Sequence, residues 1–387
     1  MQARIQKKRN PFSFGGLARD DDFADREQEL EGLTADAING QDAVVLAPRR
    51  IGKSSLIGAV MTQLVRNDVL VADIDLWKVP NKEKLAEALA AAIYGGIATM
   101  LDRAIERALT PFRGLRITPT ISIDPGTGAV SFTFSAESSQ ADVDATLERL
   151  LELPAELAAE RGKSAVLVID EFQEIVRIDR NLTKVMRSVF QRQPEVGHIY
   201  LGSKRHLMEQ IFNDPNEPFW RSAKQIELGP IPTDMFAEFI EKRFGDTGKA
   251  IDGEVVRRVL EKTGGHPYAT QRFCYEVWQA TDPGETATEA ELDLGLEAVL
   301  IGEDGYLALT WEDSANAQQL LLGALAKEPG HPLRKGYRAR HQLPAATNVQ
   351  RAVGGLTQRE LITKDEDGTI RIAEPFFAEW INRRLRP

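Results

Sequence analysis

One cysteine, Cys274, and five histidines are all that the 387 residues offer as thiol or imidazole ligands. An internal disulfide is excluded, and no grouped ligands suggest a zinc or metal-cluster site. A single cysteine in an apolar helical pattern reads as packing in a reducing compartment. Long apolar runs are missing too. The most apolar stretch, Leu85 to Leu101, is too short and too interrupted by glycine to span a bilayer. The start, Met1 to Arg19, carries only basic charges but lacks the apolar segment of a secretory signal. These absences predict a cytoplasmic protein with no membrane partner. Positive charge is in deficit as well, the formal net charge being -10, so any nucleic-acid contact must come from a local basic face. What remains is ordinary: 42% hydrophobic and 27% charged residues is the balance of a folded globular chain. The length exceeds what one core usually serves, so two or three domains are expected.

Along the chain, residues 1–22 are polar and read as a flexible basic extension. Asp25 is placed to cap a helix carried by Leu30, Leu33, Ala37 and Ile38. Ala43-Val44-Val45-Leu46 has the form of a short strand buried on both faces, and a helix follows Gly52 with Leu56, Val60, Leu64 and Val65 on one face. A second strand, Val69 to Leu76, leads to a long alanine-rich helix from about Asn81 to Ala108. The period changes to two between Arg116 and Ala136 around Asp124-Pro125-Gly126-Thr127-Gly128, which predicts a hairpin insertion over 113–137. Further strands are expected at Ala165–Ile169, His198–Gly202 and Gln225–Leu228. Apolar strands alternating with helices predict an α/β fold with a doubly wound parallel sheet over 23–230. After Gly229-Pro230 the pattern becomes helical, giving a separate helical domain over 231–305. Helices followed by a small hairpin predict a winged helix-turn-helix domain over 306–387.

The chemistry concentrates at two places. Ala47-Pro48-Arg49-Arg50-Ile51-Gly52-Lys53-Ser54 fits the phosphate-loop pattern G-x-x-x-x-G-K-[S/T] except at its first position, where alanine is tolerable if φ is negative. Strand before and helix after supply the required context. Backbone N–H groups of this loop and of Ser55 at the helix start would cradle phosphates, with Gly52 permitting close approach. Lys53 would neutralise the β and γ phosphates of ATP, and Ser54 would ligate magnesium. The second place is the strand end Val166-Leu167-Val168-Ile169-Asp170-Glu171. Asp170 would hold magnesium and Glu171 would accept a proton from the attacking water; the competing reading is that these acids merely cap the next helix. Ser203, after the His198–Gly202 strand, is placed either to contact the γ-phosphate or attacking water or simply to cap a strand end. Arg221, in Pro218-Phe219-Trp220-Arg221, is either an arginine finger or a solvated surface charge. Together these features predict a magnesium-dependent P-loop ATPase. The intact Glu171 favours hydrolysis over kinase chemistry and over a scaffold without turnover.

The loop with its Pro-Arg-Arg insert, the Asp170-Glu171 strand, the Gly202-Ser203 strand end and Thr263-Gly264-Gly265-His266-Pro267-Tyr268 resemble the prokaryotic "archaeal-type" ATPase family. That family is grouped with the STAND signalling ATPases and lies near the AAA+ initiator ATPases. Phe23 to Leu30 also resembles its start, and the tail its C-terminal winged helix. The resemblance implies that Phe23 and Arg26 lie by the adenine and that His266 and Pro267 of a helical lid touch the nucleotide. A helix C-cap at Gly264 followed by proline in the next first turn explains the same residues without a ligand.

For partners, Arg334, Lys335, Arg338, Arg340 and His341 form a basic run in the winged-helix region. The expected recognition helix, Val349 to Arg359, carries only Arg351 and Arg359. Winged helices also dock proteins. The expected function is an ATP-driven switch that controls domain arrangement, partner binding or homo-oligomeric assembly. The alternative is an initiator-like ATPase that binds DNA through its winged helix.

Overall fold

The computed structural model describes residues 9–16, 26–48, 50–98, 109–124, 126–127, 129–134, 139–365 and 367–385. The chain divides into two packed units. One comprises Arg26–Arg49 and Lys53–Gly229; the other comprises Met1–Asp25, Arg50–Gly52 and Pro230–Pro387.

The first of these is the α/β unit. Its elements in order are α1 (Glu27–Ile38), β1 (Ala43–Leu46), α2 (Lys53–Arg66), β2 (Leu70–Asp75), α3 (Lys82–Ile93), β3 (Thr120–Ile123), β4 (Val130–Thr133), α4 (Gln140–Glu160), β5 (Ala165–Asp170), α5 (Leu182–Phe190), β6 (Val196–Gly202), α6 (Arg205–Asn213) and β7 (Lys224–Glu227). Five strands form one sheet in the order β2-β5-β6-β1-β7, and every pairing in it is parallel. All residues of β1 and β6 are buried, as are all of β5 except its last, Asp170. Strands covered on both faces need uninterrupted apolar runs, which is why these three were readable as strands without an alternating pattern. A parallel sheet brings the carboxyl ends of all its strands to one edge, where α/β folds bind ligands. Leu46, Asp170 and Gly202 therefore end at that edge.

Two details of this unit depart from the sequence reading. The helix expected to run unbroken from Asn81 to Ala108 starts as anticipated, with the Asn81 side chain accepting from the Lys84 N–H at 2.9 Å. At Tyr94–Ala98 it widens into a π turn. Gly96 lies against β2 there, where an added Cβ would fall 1.9 Å from the Val71 carbonyl oxygen; this close backbone approach is where a local bulge fits and a side chain does not. Residues 99–108 lie outside the described residues. The second departure concerns the hairpin insertion. It is present, with Thr120 opposite Thr133 and Ile123 opposite Val130, but it is more than a surface ribbon. Phe132 is buried with its ring 4.9 Å from Phe112 and 5.8 Å from Tyr94.

The second unit contains α7 (Thr233–Asp246), β8 (Ala250–Ile251), α8 (Gly253–Thr263), α9 (Pro267–Ala280), β9 (Thr286–Ala287), α10 (Glu289–Glu312), α11 (Asn316–Lys327), α12 (Lys335–Arg340), α13 (Ala346–Gln358), β10 (Ile362–Lys364), β11 (Ile370–Ile372) and α14 (Pro375–Arg384). β10 and β11 form the antiparallel wing. The domain boundary expected at 305/306 falls within a helix: α10 runs continuously from Glu289 to Glu312 with a capping box at Thr288 and Glu291. Leu292, Leu296, Val299 and Leu307 of this helix share one core with Phe273, Phe376, Phe377 and Trp380. The helical and winged-helix segments are thus packed as one body. The short parallel pair β8–β9 had no sequence signal, since two residues are too few for any periodicity.

The part of the N-terminal extension that is described is also built into this unit, against the reading of 1–22 as flexible. Phe12 is 3% exposed, with its ring 5.4 Å from Phe244. Phe14 packs edge-on to Tyr275 at 5.2 Å, and Asn10 donates to the Tyr275 carbonyl at 3.0 Å. Two phenylalanines within a basic, Gly-containing stretch were the available signal, because each buried aromatic ring contributes a large apolar area.

Glu374, the residue that precedes α14, holds a proton near neutrality. Burial pushes its carboxyl up to about 7, with Arg50 opposing and Glu303 reinforcing the shift. A carboxyl with a raised folded pKa binds its proton more tightly when folded. Its contribution to stability is therefore full below about 4.5, the ordinary value, and falls away as pH rises to about 7. Glu374→Gln should remove this dependence. Thermal unfolding should show the variant gaining on the wild type between pH 5 and pH 8; a difference constant over that range would contradict the assignment.

Candidate nucleotide site

The loop after β1 is built to expose its backbone. Arg50 has φ 62° and Gly52 φ 93°. Successive residues on both sides of the Ramachandran map make the concave runs of N–H groups that accept anions. Pro48 and Arg50 are exposed, Gly52, Ser54 and Ser55 are partly or fully exposed, and Ile51 is buried as the loop's apolar anchor at 2%. Arg49 and Phe23 lie outside the described residues. Helix α2 begins at Lys53, so the helix N-terminus adjoins the loop. The Ser54 hydroxyl is exposed.

Within the α/β unit, Lys53 turns toward the end of β5. Its buried ammonium Nζ donates to Asp170 Oδ1 at 2.8 Å and to Glu171 Oε1 at 3.3 Å. Asp170 Oδ1 also accepts from the Glu171 N–H at 2.8 Å. Glu171 stands at φ 53°, in the left-handed region rare for a residue with a Cβ. Ser203, 8% exposed at the end of β6, donates its hydroxyl to Glu171 Oε2 at 2.8 Å, and the Gln173 amide donates to the same oxygen. Burial by itself would raise the Glu171 pKa. The charge of Lys53 and hydrogen bonds from Gln173, Ser203 and Lys53 outweigh it and hold the carboxyl below the usual glutamate range. An acid–ammonium–acid cluster thus occupies the sheet edge directly after the phosphate-type loop.

Four residues singled out from sequence are gathered here: Lys53, Asp170, Glu171 and Ser203. Others are placed differently. Arg221 takes φ 51° and its guanidinium stacks on its neighbour Trp220, 5.4 Å from the ring centroid. Arg26 is 6% exposed and ties the start of α1 to the end of the sheet region, donating to the Gly229 carbonyl at 2.6 Å and to Glu29 at 2.9 Å. His266 and Pro267 belong to the helical unit. His266 is the N-cap of α9 and Pro267 its first residue, after Gly264 has closed α8 in the left-handed conformation. The capping explanation accounts for all three positions. Gln173 was not singled out. The one signal for it was an amide in the otherwise apolar and acidic turn Phe172-Gln173-Glu174-Ile175, and at 2% exposure it is among the most buried polar side chains.

A fully parallel sheet, a glycine-bearing loop running into a helix, and a lysine facing two strand-end carboxylates define a P-loop ATPase carrying a C-terminal winged helix. The comparisons agree. A family model described as an ATPase domain predominantly from Archaea matches residues 23–273, and one described as a probable winged helix domain matches residues 306–383. The chain belongs to this archaeal-type ATPase family, whose members hydrolyse ATP. Among solved structures it is similar to the Walker-type ATPase of Pyrococcus abyssi, at 19% identity and TM-score 0.65, with 96% of this chain and 99% of that one covered. It is also similar to the ORC2 protein of Aeropyrum pernix, solved as ADPNP–ADP complexes, at 12% identity and TM-score 0.55 with 97% of each chain covered. At these identities the likeness concerns the fold. No curated protein matches the chain. Among the described residues no helix is long and apolar enough to cross a membrane.

Proposed function

We propose that the chain is a magnesium-dependent ATP-binding and hydrolysing switch whose nucleotide state controls its domain arrangement and its partner binding or assembly. The observation that carries this reading is the sharing of one buried ammonium, Lys53, by Asp170 and Glu171. A buried cation is stable only with its counter-charge, and a triphosphate is a stronger one than either carboxylate. Nucleotide binding would therefore draw Lys53 off the acids, an exchange of partners that changes the site between its two states. Such a ligand-linked exchange is what a switch requires, because a ligand shifts an equilibrium only through differential interaction.

The donor types suit magnesium. A carboxylate at Asp170 and a hydroxyl at Ser54 are hard oxygen ligands, and this ion takes few protein ligands when substrate phosphates supply others. When bound, the ion would neutralise charge on the β and γ phosphates. Lys53 would do the same from the protein side. Glu171 would take a proton from water as its oxygen bonds to the γ-phosphorus and the bond to the bridging oxygen breaks. Ser203 would orient Glu171 or the water. The backbone of Pro48 to Ser55, Arg49 included, would cradle the phosphates. Phe23 and Arg26 on the base side, and His266 and Pro267 in the lid, are proposed as further nucleotide contacts. Arg221 is exposed enough to act as a finger, in cis or from a second copy.

A second reading, duplex DNA binding through the winged helix, has its own support. The exposed face of α13 carries Thr347, Asn348, Gln350 and Arg351 in its first two turns. Amide and guanidinium side chains are the ones that read adenine and guanine edges in a major groove. Arg334 and Lys335 are exposed at the start of α12, where they can meet phosphates, while Arg340 and His341 are engaged by Glu328.

Lys53→Ala should weaken binding of a fluorescent ATP analogue by about a hundred-fold or more; unchanged affinity would remove the phosphate role of the loop. Glu171→Gln should keep that affinity while lowering turnover by about a hundred-fold or more, and particle mass should then report the ATP-bound assembly state. Normal turnover would reassign the base. For the second reading, reversing the charge of Arg334 and Lys335 should weaken duplex binding and lower its salt slope by about one per lost phosphate contact; an unchanged slope would reject it.

A further inference from the structure

The two oxygens of the Glu171 carboxylate are held by different kinds of donor. Oε1 faces the Lys53 ammonium at 3.3 Å. Oε2 accepts two uncharged donors, the Ser203 hydroxyl at 2.8 Å and the Gln173 amide. Gln173 is itself fixed. It sits in the tight turn Phe172–Glu174 that follows Glu171, and its amide oxygen lies where a Cβ on Gly202 would come within 2.5 Å of it. Glycine at the end of β6 is thus what leaves room for the amide. That amide oxygen is buried and has no hydrogen-bond partner. An orphaned buried acceptor costs stability, and a leucine of similar volume would avoid the cost. The polar side chain is therefore not explained by packing, whereas its amide NH2 donates to Glu171.

We propose that Gln173 is a positioning residue that pins one oxygen of Glu171, so that when Lys53 transfers to the nucleotide the other oxygen is freed in a fixed direction as the base. The left-handed backbone at Glu171 fits this role. Such a conformation persists where surrounding contacts over-determine it, and the donors on its side chain supply those contacts. Without the amide, Glu171 would retain Ser203 as its lone neutral donor and would rotate about its side-chain torsions once Lys53 left. A base displaced by a fraction of an ångström loses rate without losing substrate affinity. The inference rests on the reading of Glu171 as the base.

The test uses the full chain with Gln173→Leu, Glu171→Gln and the double variant. Gln173→Leu should lower kcat about ten-fold or more and leave the affinity for a fluorescent ATP analogue within about two-fold. In the Glu171→Gln background the same change should have no further effect on residual turnover, because it acts only through the carboxylate. Wild-type kcat in Gln173→Leu, or an effect of full size in the double variant, would overturn the proposal. Should the leucine variant fold poorly, Gln173→Met keeps an unbranched side chain of similar length and removes the donor, and the same kcat and affinity criteria apply to it. Failure of the underlying reading is separable: Glu171→Gln would then keep its turnover, whereas failure of this proposal alone leaves Glu171→Gln slow and Gln173→Leu fast.

Discussion

The structure turns on a charge constraint: one buried lysine at the start of α2 must satisfy, and be satisfied by, two carboxylates at the end of β5. Separating such a group from its partners leaves uncompensated charge in a poorly solvated place, which is costly by several kcal/mol in typical proteins. The constraint explains why the surrounding parts are where they are. β5 and β6 are buried along their length so that the acids and Ser203 project only at the edge. The loop after β1 bends through two positive-φ residues so that Lys53 enters the helix facing that edge. Under the proposed function, a triphosphate would meet the same constraint with a different counter-charge, and this substitution would link the fold to the nucleotide.

The surrounding network grades the four polar groups by mobility. Lys53 is a long, rotatable side chain paired with both acids, and under the proposed function it would exchange them for phosphate. Asp170 is tied to the Glu171 N–H as well as to Lys53, which keeps its carboxylate at the edge. Glu171 is the most constrained, by its backbone region and by donors on both oxygens. The order suits the proposed roles, in which Lys53 would move to the phosphates and Glu171, as the base, would stay aimed.

Much of the α/β architecture was legible because buried parallel strands write themselves as apolar runs. Ala43–Leu46 and Ala165–Ile169 were readable for that reason. The convergence of Lys53 with Asp170 and Glu171 was inferable from the strand–loop–helix order and the strand-end acids. Other features were illegible for physical reasons. The π turn at Tyr94 depends on a backbone approach of β2 to Gly96 that is remote in sequence. The continuity of α10 across residue 305 rests on packing against α14, which is remote in sequence and leaves no local pattern. Burial of Phe12 depends on a surface provided by α7, more than two hundred residues away. Gln173 escaped notice because an amide in a turn is ordinary until its burial and its partner are known.

The most direct measurement is a crystal structure of the full chain with magnesium and a non-hydrolysable ATP analogue. The account predicts that the Lys53 Nζ has left Asp170 and Glu171 and lies against the β and γ phosphate oxygens, with Glu171 Oε2 still bonded to Gln173 and Ser203. An analogue bound elsewhere, or Lys53 still paired with both acids while the nucleotide is in place, would contradict it.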